Sequence, residues 1–246
     1  MTGAGRGIGR AVAVELAGPG VTVALLARSP DELAETAAQV RARGGTPVEI
    51  PVDLAETEKI GAAVERARES AGTIDTLVNN AGVVWPLGPT AAVDPGEWAT
   101  AITINLVAVT ALTLAVLPGM LAQRRGRIVN VSSGAAARPD SMIGGNAYVT
   151  SKTALEAHTL NLAAELADSG VTVNVYRPGA VETPLQGWIR SRDPDQIGEG
   201  LHERFVRMHA DGALITPEHT ARCLVGHLAD ADTGQVWTVA PMPDSA

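Results

Sequence analysis

Short apolar runs rich in β-branched residues alternate along the chain with longer amphipathic stretches. The runs predict six strands, at 21–27, 47–52, 74–79, 127–132, 171–176 and 235–239. Most of them are apolar at nearly every position, which is typical of parallel strands covered on both faces. Strands that alternate with helices are typical of βαβ units. The pattern therefore predicts an α/β fold built on a parallel sheet.

Capping residues mark where the helices begin. An acceptor side chain stands three residues before a glutamate at Ser29, Asp53 and Asp94, and Thr216 precedes a proline, so we expect a helix to start at each of these positions. The segment 185–213 departs from the regular alternation, because Gly, Pro and charged residues are interspersed there with large apolar ones. We expect a single domain over residues 1–246, with 185–213 as a substrate lid.

The stretch Ala99–Gln123 carries no charged residue and is followed by a basic cluster, as a membrane span would be. A buried helix is the alternative. Polar residues interrupt the stretch at Thr100, Thr103, Asn105, Thr110 and Thr113. Because hydropathy this diluted favours a protein core over a bilayer, we expect a buried helix and no membrane partner.

Composition narrows the partners and the compartment. The formal net charge is −8 and no Lys/Arg block offsets it, which argues against nucleic acid as a partner. The lone Cys223 cannot form an intrachain disulfide, and no apolar run of a signal peptide follows Met1, so we expect a cytoplasmic protein. The five histidines show no metal-ligand spacing, and no metal is expected.

Residues 2–9 read T-G-x-x-x-G-x-G and lead into a predicted helix at about 6–17. Glycines let the backbone approach a pyrophosphate, and a helix N-terminus favours its negative charge. A glycine turn that merely opens a helix is the alternative. At the end of the next strand, where an NAD enzyme usually places a carboxylate, the chain has Ala27 and Arg28. With Arg6 in the loop, this favours NADP(H), with NAD(H) possible.

Tyr148 and Lys152 stand four residues apart in a predicted helix and therefore share one face. A neighbouring ammonium and the positively charged nicotinamide favour the phenolate, which lowers the pKa of the phenol toward neutrality. Such a pair is weak on its own. Other polar segments, Asn79–Gly82, Ser132–Ser133 and Arg177–Thr183, also follow predicted strands, whose carboxyl ends line the ligand crevice of a doubly wound sheet.

These motifs together closely resemble the short-chain dehydrogenases/reductases in their compact single-domain, 3-oxoacyl reductase-like form. TGAGRGIG, NNAG, TINLVAV, VSS, YVTSK and RPGAVET occur in the family's order over nearly the whole chain. The resemblance implies a three-layer, doubly wound parallel sheet of the Rossmann-like kind. It also implies an NADP(H)-dependent oxidoreductase acting on a small carbonyl compound or secondary alcohol, with a homodimer or homotetramer as the assembly.

The resemblance also implies residue roles. Tyr148 would be the general acid/base, Lys152 would lower its pKa and hold the nicotinamide ribose, Ser133 would polarise the carbonyl, and Asn105 would support a water relay. Ser133 is chosen because the family uses the second serine of the pair, although the spacing to Tyr148 is about two residues longer than is common. The residues implied to bind the cofactor are Gly3, Arg6, Gly7, Ile8, Gly9, Arg28, Ser29, Asp53, Leu54, Asn80, Ala81, Gly82, Tyr148, Lys152, Pro178, Gly179, Val181 and Thr183.

The family's first strand, which would end at Thr2, has no counterpart in this sequence. That strand would be central, between the strands at 21–27 and 74–79, and its loss would leave both without a partner. We therefore expect residues upstream of Met1 to supply it. The gap keeps a second hypothesis open, a non-catalytic or truncated dinucleotide-binding or regulatory protein. The sequence does not identify the substrate.

Overall fold

The computed structural model describes residues 1–240, and it contains all six predicted strands with their ends within two residues of the predicted positions. The strands are β1 (Thr22–Ala27), β2 (Thr46–Pro51), β3 (Thr76–Asn79), β4 (Gly126–Val131), β5 (Val171–Arg177) and β6 (Val236–Thr238). Every pairing between them is parallel. The predicted α/β class with a parallel sheet is confirmed.

The strand order is β2-β1 on one side and β3-β4-β5-β6 on the other. Between β1 and β3, at their carboxyl ends, lie the first two residues of the chain. Thr2 forms a parallel bridge with Leu26, and its backbone N–H donates to the carbonyl oxygen of Val78 at 3.1 Å. The Leu26 N–H in turn donates to the Met1 carbonyl at 3.0 Å. The backbone of Met1 and Thr2 thus links β1 to β3 at the place where the resemblance to the family implies a central strand.

Helices cover both faces of the sheet. On one face lie α1 (Gly7–Leu16), α2 (Pro30–Ala42) and α11 (Pro217–His227), and on the other α3 (Ile60–Ala71), α5 (Ala108–Ala122) and α7 (Asn146–Glu165). Each face has its own apolar cluster. Leu25, Val78 and Tyr176 point to the first layer of helices, whereas Leu26, Leu77 and Ile128 point to the second. This is the three-layer arrangement that the resemblance implies.

Three of the four predicted helix caps are present. Ser29 accepts from the Glu32 N–H, Asp94 from the Glu97 N–H and Thr216 from the His219 N–H. The prediction for Asp53 is wrong. Its carboxylate accepts from the Ala55 N–H at 2.9 Å, and a 3-10 turn at Thr57–Lys59 intervenes before α3 begins. Asp53 therefore closes a tight turn after β2 instead of capping a helix.

The uncharged stretch forms a helix of 28 residues, Pro95–Ala122, which by length and a hydropathy of 2.1 could cross a membrane. It consists of α4 (Pro95–Ile102), a π-helical turn (Thr103–Val107) and α5. One face of α5 packs into the core through Ala108, Leu112, Val116 and Met120. The expected core helix is thus present. Its opposite face exposes Val107, Leu114 and Leu121.

The remaining helices are α6 (Gly134–Ala137), α8 (Pro184–Arg190), α9 (Pro194–Ile197) and α10 (Glu199–Ala210), with 3-10 turns at Thr90–Ala92 and Pro139–Met142. The segment singled out in the sequence folds as α8, α9 and α10. Ile189, Leu201 and Phe205 of these helices pack with Val84 and Met142 in a third apolar cluster. Glu182 ties α8 to α10, because it accepts from Arg190 at 2.7 Å and contacts His209 at 2.9 Å.

Candidate functional site

A cavity of about 640 Å³ opens at the carboxyl ends of the strands, where the sequence predicts the ligand crevice. Segments that follow β1, β2, β3, β4 and β5 all contribute to its wall. Among the predicted cofactor residues, those in the lining are Gly3, Arg6, Gly7, Ile8, Arg28, Ser29, Asp53, Leu54, Asn80, Ala81, Gly82, Tyr148, Lys152, Pro178 and Thr183. A cavity of this size matches those that hold cofactors.

The glycine loop is fixed between α1 and the loop after β3. The Thr2 hydroxyl accepts from the backbone N–H groups of Asn80 and Ala81, both at 3.0 Å, and the Asn80 amide donates to the Thr2 carbonyl at 3.1 Å. Gly3 has a φ of +62°, and a Cβ there would lie 2.9 Å from the Ala81 Cα. Gly9 lies outside the cavity lining, where a Cβ would collide with the Gly3 carbonyl. These glycines leave the N-terminus of α1 open to an anion.

The two arginines expected to bind a 2′-phosphate lie at one end of the cavity, and each is already paired. Arg6 Nη1 is 3.3 Å from Glu32 Oε1, and Arg28 Nη1 is 3.8 Å from Asp53 Oδ2. Arg6 and Arg28 are mostly exposed, so their side chains are free to turn toward a ligand. Asp53 is among the predicted cofactor residues and Glu32 is not, and nothing in the linear spacing predicts that either carboxylate meets an arginine.

Tyr148 and Lys152 lie on the same face of α7, as their spacing predicts. Lys152 is only 4% exposed, and its Nζ donates to the Val131 carbonyl at 2.8 Å and lies 5.9 Å from the centroid of the Tyr148 ring. Burial lowers the pKa of Lys152 to about 8, against the opposing charge of Glu156. Contrary to the expected lowering, the pKa of Tyr148 is raised, because burial disfavours the phenolate, and a hydrogen bond with Ser133 only partly offsets this.

The two serines after β4 have different partners. The Ser132 hydroxyl donates to Glu156 Oε1 at 2.7 Å, whereas the Ser133 hydroxyl accepts from the Ala135 N–H at 3.2 Å, caps α6 and acts to lower the pKa of Tyr148. Ser133 lies outside the cavity lining, whereas Ser132 is part of it. The effect on the pKa of Tyr148 supports Ser133 and the cavity lining supports Ser132, so the choice of Ser133 stays a prediction.

Asn105 lies in the π-helical turn, is fully buried and lines no part of the cavity. Its amide donates to the Val83 carbonyl at 2.8 Å and to the Ser151 hydroxyl at 3.0 Å, and its Oδ1 accepts from the Val83 N–H at 2.8 Å. A Cβ on Gly82 would lie 3.2 Å from Asn105 Oδ1 and 3.4 Å from Lys152 Nζ. Asn105 thus holds the loop after β3 against α7, directly behind the lysine.

The segment after β5 contributes Pro178 and Thr183 to the cavity. Thr183 also caps α8 by accepting from the Gln186 N–H. Val181 is 3% exposed and forms a bridge with Ile215, and Gly179 has a φ of +79°, as a tight turn requires. These two predicted residues shape the loop from outside the cavity lining.

The end of the cavity beside Tyr148 is apolar. Val84, Trp85, Leu185 and Trp188 line it, and Leu185 and Trp188 pack with Tyr148 against the third apolar cluster. Within residues 1–240, no group of His, Cys, Asp or Glu could hold a metal ion. The groups available for catalysis are therefore a phenol, a buried ammonium and a serine hydroxyl, beside an apolar part of the cavity.

Comparison with known proteins yields a consistent set of relatives. The short chain dehydrogenase family matches residues 1–194. The ketoacyl reductase HetN of Nostoc sp. is 36% identical over 245 residues, which cover 100% of this chain and 79% of HetN.

Among solved structures, the L-sorbose reductase of Gluconobacter frateurii, complexed with NADPH and L-sorbose, superposes with a TM-score of 0.85 at 28% identity and covers 97% of this chain and 93% of its own. An NAD⁺-bound xylitol dehydrogenase superposes with a TM-score of 0.82 at 26% identity, and the match covers 97% of this chain and 95% of the dehydrogenase.

Proposed function

The chain belongs to the short-chain dehydrogenase/reductase family, whose members are NAD(P)-dependent oxidoreductases, and from that premise we propose that it is an NADP(H)-dependent enzyme interconverting a carbonyl compound and a secondary alcohol. Tyr148 is its general acid/base, with Lys152, Ser133 and Asn105 completing the catalytic group. NAD(H) serves as a weaker alternative cofactor.

The observation that carries the proposal is the buried ammonium of Lys152 beside Tyr148. Burial of a lysine costs free energy, seen here as the drop of its pKa to about 8. A protein that only binds a dinucleotide needs the glycine loop but not a costly ammonium beside a phenol. This favours the enzyme over the non-catalytic alternative.

The residues present fit a nicotinamide dinucleotide. The glycine loop is open where the pyrophosphate would lie, and a side chain at Gly3 or Gly9 would obstruct it. Arg6 and Arg28 lie at the far end of the same cavity. Ala27 leaves no carboxylate against a 2′-phosphate, which supports NADP(H). Glu32 and Asp53 partly neutralise the arginines, which supports continued use of NAD(H).

A reduced nicotinamide cofactor held by these residues would supply the hydride for the carbonyl carbon. Tyr148 donates its proton to the carbonyl oxygen, and the Ser133 hydroxyl holds that oxygen by a hydrogen bond. Lys152 stabilises the phenolate that remains, because its ammonium nitrogen lies 5.9 Å from the centroid of the Tyr148 ring. Asn105 keeps Lys152 and the loop at Gly82 in contact.

The substrate chamber and the assembly complete the proposal. The apolar lining at Val84, Trp85, Leu185 and Trp188 suits a carbonyl compound with an apolar body. We propose one catalytic domain over the whole chain, with 185–213 as its lid, acting in the cytoplasm as a homodimer or homotetramer without metal, nucleic acid or membrane.

The test is oxidation of NADPH in the presence of a panel of aliphatic and aromatic ketones, 3-oxoacyl thioesters, quinones and keto sugars. We expect turnover with at least one apolar ketone or 3-oxoacyl thioester and slower turnover with NADH. Tight NADPH binding in a fluorescence titration without oxidation by any member of the panel would instead support the binding-protein alternative.

A further inference from the structure

A second polar cluster lies immediately behind the catalytic lysine, at the carboxyl ends of β4 and β5. It consists of Ser132, Glu156 and Arg177. The Ser132 hydroxyl donates to Glu156 Oε1 at 2.7 Å, and Arg177 donates from Nε to Oε1 at 2.9 Å and from Nη2 to Oε2 at 2.6 Å. The Glu156 side chain is 12% exposed and that of Arg177 is 23% exposed. A bidentate pair this sheltered holds its geometry well.

The cluster is coupled to the site through the backbone of β4. Lys152 donates to the Val131 carbonyl, and Glu156, one helical turn further along α7, accepts from the next residue, Ser132. Two consecutive residues at the end of β4 are thus fastened to two consecutive turns of α7. The following residue is Ser133, which contacts Tyr148. Arg177 extends the same attachment to the end of β5.

Removal of this attachment would loosen both catalytic contacts. Without Glu156, the Val131–Ser132 peptide keeps its strand hydrogen bond to the Tyr176 carbonyl and its contact with Lys152, but the Ser132 side chain loses its attachment to the next turn of α7. The Val131 carbonyl and the Ser133 hydroxyl could then shift relative to Lys152 and Tyr148. Misplacement of catalytic groups by about 1 Å can cost as much as about 100-fold in rate.

We propose that Glu156, clamped by Arg177, is a positioning residue of the reaction, which fixes the end of β4 on α7 and so sets the placement and charge of Lys152 and the placement of Ser133. This inference rests on the proposed function for its rate effects. It also makes a claim about Lys152 that holds for the free protein.

The charge on Lys152 depends on few neighbours. Glu156 and Tyr148 lie on its own helix, and Arg177 of β5 lies against the Glu156 carboxylate, whereas the loop after β3 and the π-helical turn bring the uncharged Gly82 and Asn105. Glu156 raises the pKa of Lys152 against the effect of burial. Loss of the Glu156 charge leaves Arg177 unopposed, and both changes act to lower that pKa.

The test measures the titration of Lys152 directly. The chain contains two lysines, Lys59 and Lys152, so lysine labelled with ¹³C at Cε gives two resonances, and Lys59→Arg assigns them. We expect Glu156→Gln to lower the pKa of Lys152 by about half a unit or more. Lys59 is an internal reference. The double variant Glu156→Gln/Arg177→Gln removes both charges, so the pKa of Lys152 should return most of the way to its value in the parent protein.

Turnover of the best ketone from the panel separates the effect of Glu156 on the placement of the catalytic groups from its effect on the charge of Lys152. We expect kcat to fall about 10- to 100-fold in Glu156→Gln, with little change in KM, and to stay low in the double variant although its lysine pKa recovers. Ser132→Ala, which leaves the ion pair intact, should also lower kcat. If Glu156→Gln does not fold, Ser132→Ala replaces it as the variant that tests the attachment.

Glu35→Gln is the control for loss of a carboxylate from an ion pair, because Glu35, which is 64% exposed, pairs with Arg10 at 2.8 Å and neither residue lines the cavity. It should change neither kcat nor the titration of Lys152. An unchanged lysine pKa together with an unchanged kcat in Glu156→Gln would overturn the inference, whatever happens to the melting temperature. Absence of turnover in the parent protein would contradict the proposed function instead, and the titration would still decide the role of Glu156.

Discussion

At the scale of single residues, the site depends on charges that are paired before any ligand arrives. Arg6 and Arg28 each contact a carboxylate, and Lys152 is held by a backbone carbonyl. A 2′-phosphate must therefore compete with Glu32 and Asp53 for the two guanidinium groups. Because all four side chains lie near the surface, this competition is screened by salt.

Cofactor preference is expected to follow this competition. Arg28→Asp should weaken NADPH binding by about 1.5–3 kcal/mol at low salt, the worth of a hydrogen bond to a charged group, and affect NADH much less. Glu32→Gln should act in the opposite direction, because it frees Arg6, and should raise the ratio of NADPH to NADH affinity severalfold.

Fluorescence titration of both cofactors measures these ratios, with Glu35→Gln as the control on the same helix, since its partner Arg10 lies outside the cavity lining. Equal affinities of the parent protein for NADPH and NADH would contradict the assignment of Arg28. An unchanged ratio in Glu32→Gln would show that its pairing with Arg6 does not affect the cofactor.

The pH dependence of ketone reduction should report the titration of Lys152. Its pKa is lowered to about 8, so the ammonium is present below that pH and is lost as the pH rises through it. The pKa of Tyr148 is raised, so the phenol keeps its proton over the same range. We expect kcat/KM for reduction to fall as the pH rises through about 8. A profile that stays flat to pH 10 would rule out a role for the ammonium.

The local spacing of Tyr148 and Lys152 predicts that they share one helix face, and both line the cavity, whereas Ser133 is chosen from the family resemblance and lies outside the lining. The sequence cannot predict that Arg177 and Glu32 find their partners, since these contacts join elements that are distant in the chain. One signal was available for Glu156: it follows Lys152 by four residues and must therefore share the catalytic face of the helix.

At the scale of elements, the apolar runs determine the strands, and hydrogen-bond chemistry determines how each element ends. The six strands follow from hydropathy alone, and three of the four helix starts follow from their caps. The turn at Asp53 and the π-helical turn at Thr103–Val107 do not. The first depends on which N–H group donates to the Asp53 carboxylate, and the second on which backbone carbonyl each N–H group reaches, and residue type alone specifies neither.

The packing of α1 on the glycine loop gives a test at this scale. A Cβ at Gly9 would collide with the Gly3 carbonyl and lie 2.6 Å from the Asn80 amide nitrogen, both parts of a fixed loop. Gly9→Ala should therefore destabilise the protein by about 1–3 kcal/mol and weaken NADPH binding.

Gly61→Ala is the matched control, because Gly61 also lies in a helix but a Cβ there would have no heavy atom within 4 Å. It should be neutral or stabilise the helix by up to about 1 kcal/mol. Thermal melts and NADPH titrations of both variants measure the difference. Equal behaviour of the two variants would contradict the close approach at Gly9.

At the scale of the whole molecule, an apolar surface is left uncovered by the rest of residues 1–240. Val107, Leu114 and Leu121 lie seven residues apart along one face of the long helix, and all three are exposed. Leu160 of α7 is exposed as well. Spacing and hydropathy predicted a core helix here, but they could not tell which face would remain uncovered.

We expect this surface to form the contact between subunits. Leu114 is 64% exposed, and Leu114→Glu should shift the protein toward the monomer in light scattering at micromolar concentration. Val206→Glu is the control, since Val206 is an exposed valine on α10, away from this face. A monomeric parent protein under the same conditions would contradict the expected homodimer or homotetramer.

The central claim, that Tyr148 gives the proton while a nicotinamide gives the hydride, is tested most directly by isotope transfer. NADPH deuterated at C4 of the nicotinamide, in each of its two stereoisomers, is incubated with the best ketone of the panel, and the alcohol is analysed by mass spectrometry. We predict deuterium in the alcohol from one stereoisomer only, and a rate about 10²- to 10⁴-fold lower in Tyr148→Phe with NADPH affinity unchanged. Transfer by Tyr148→Phe at the rate of the parent protein would contradict the account.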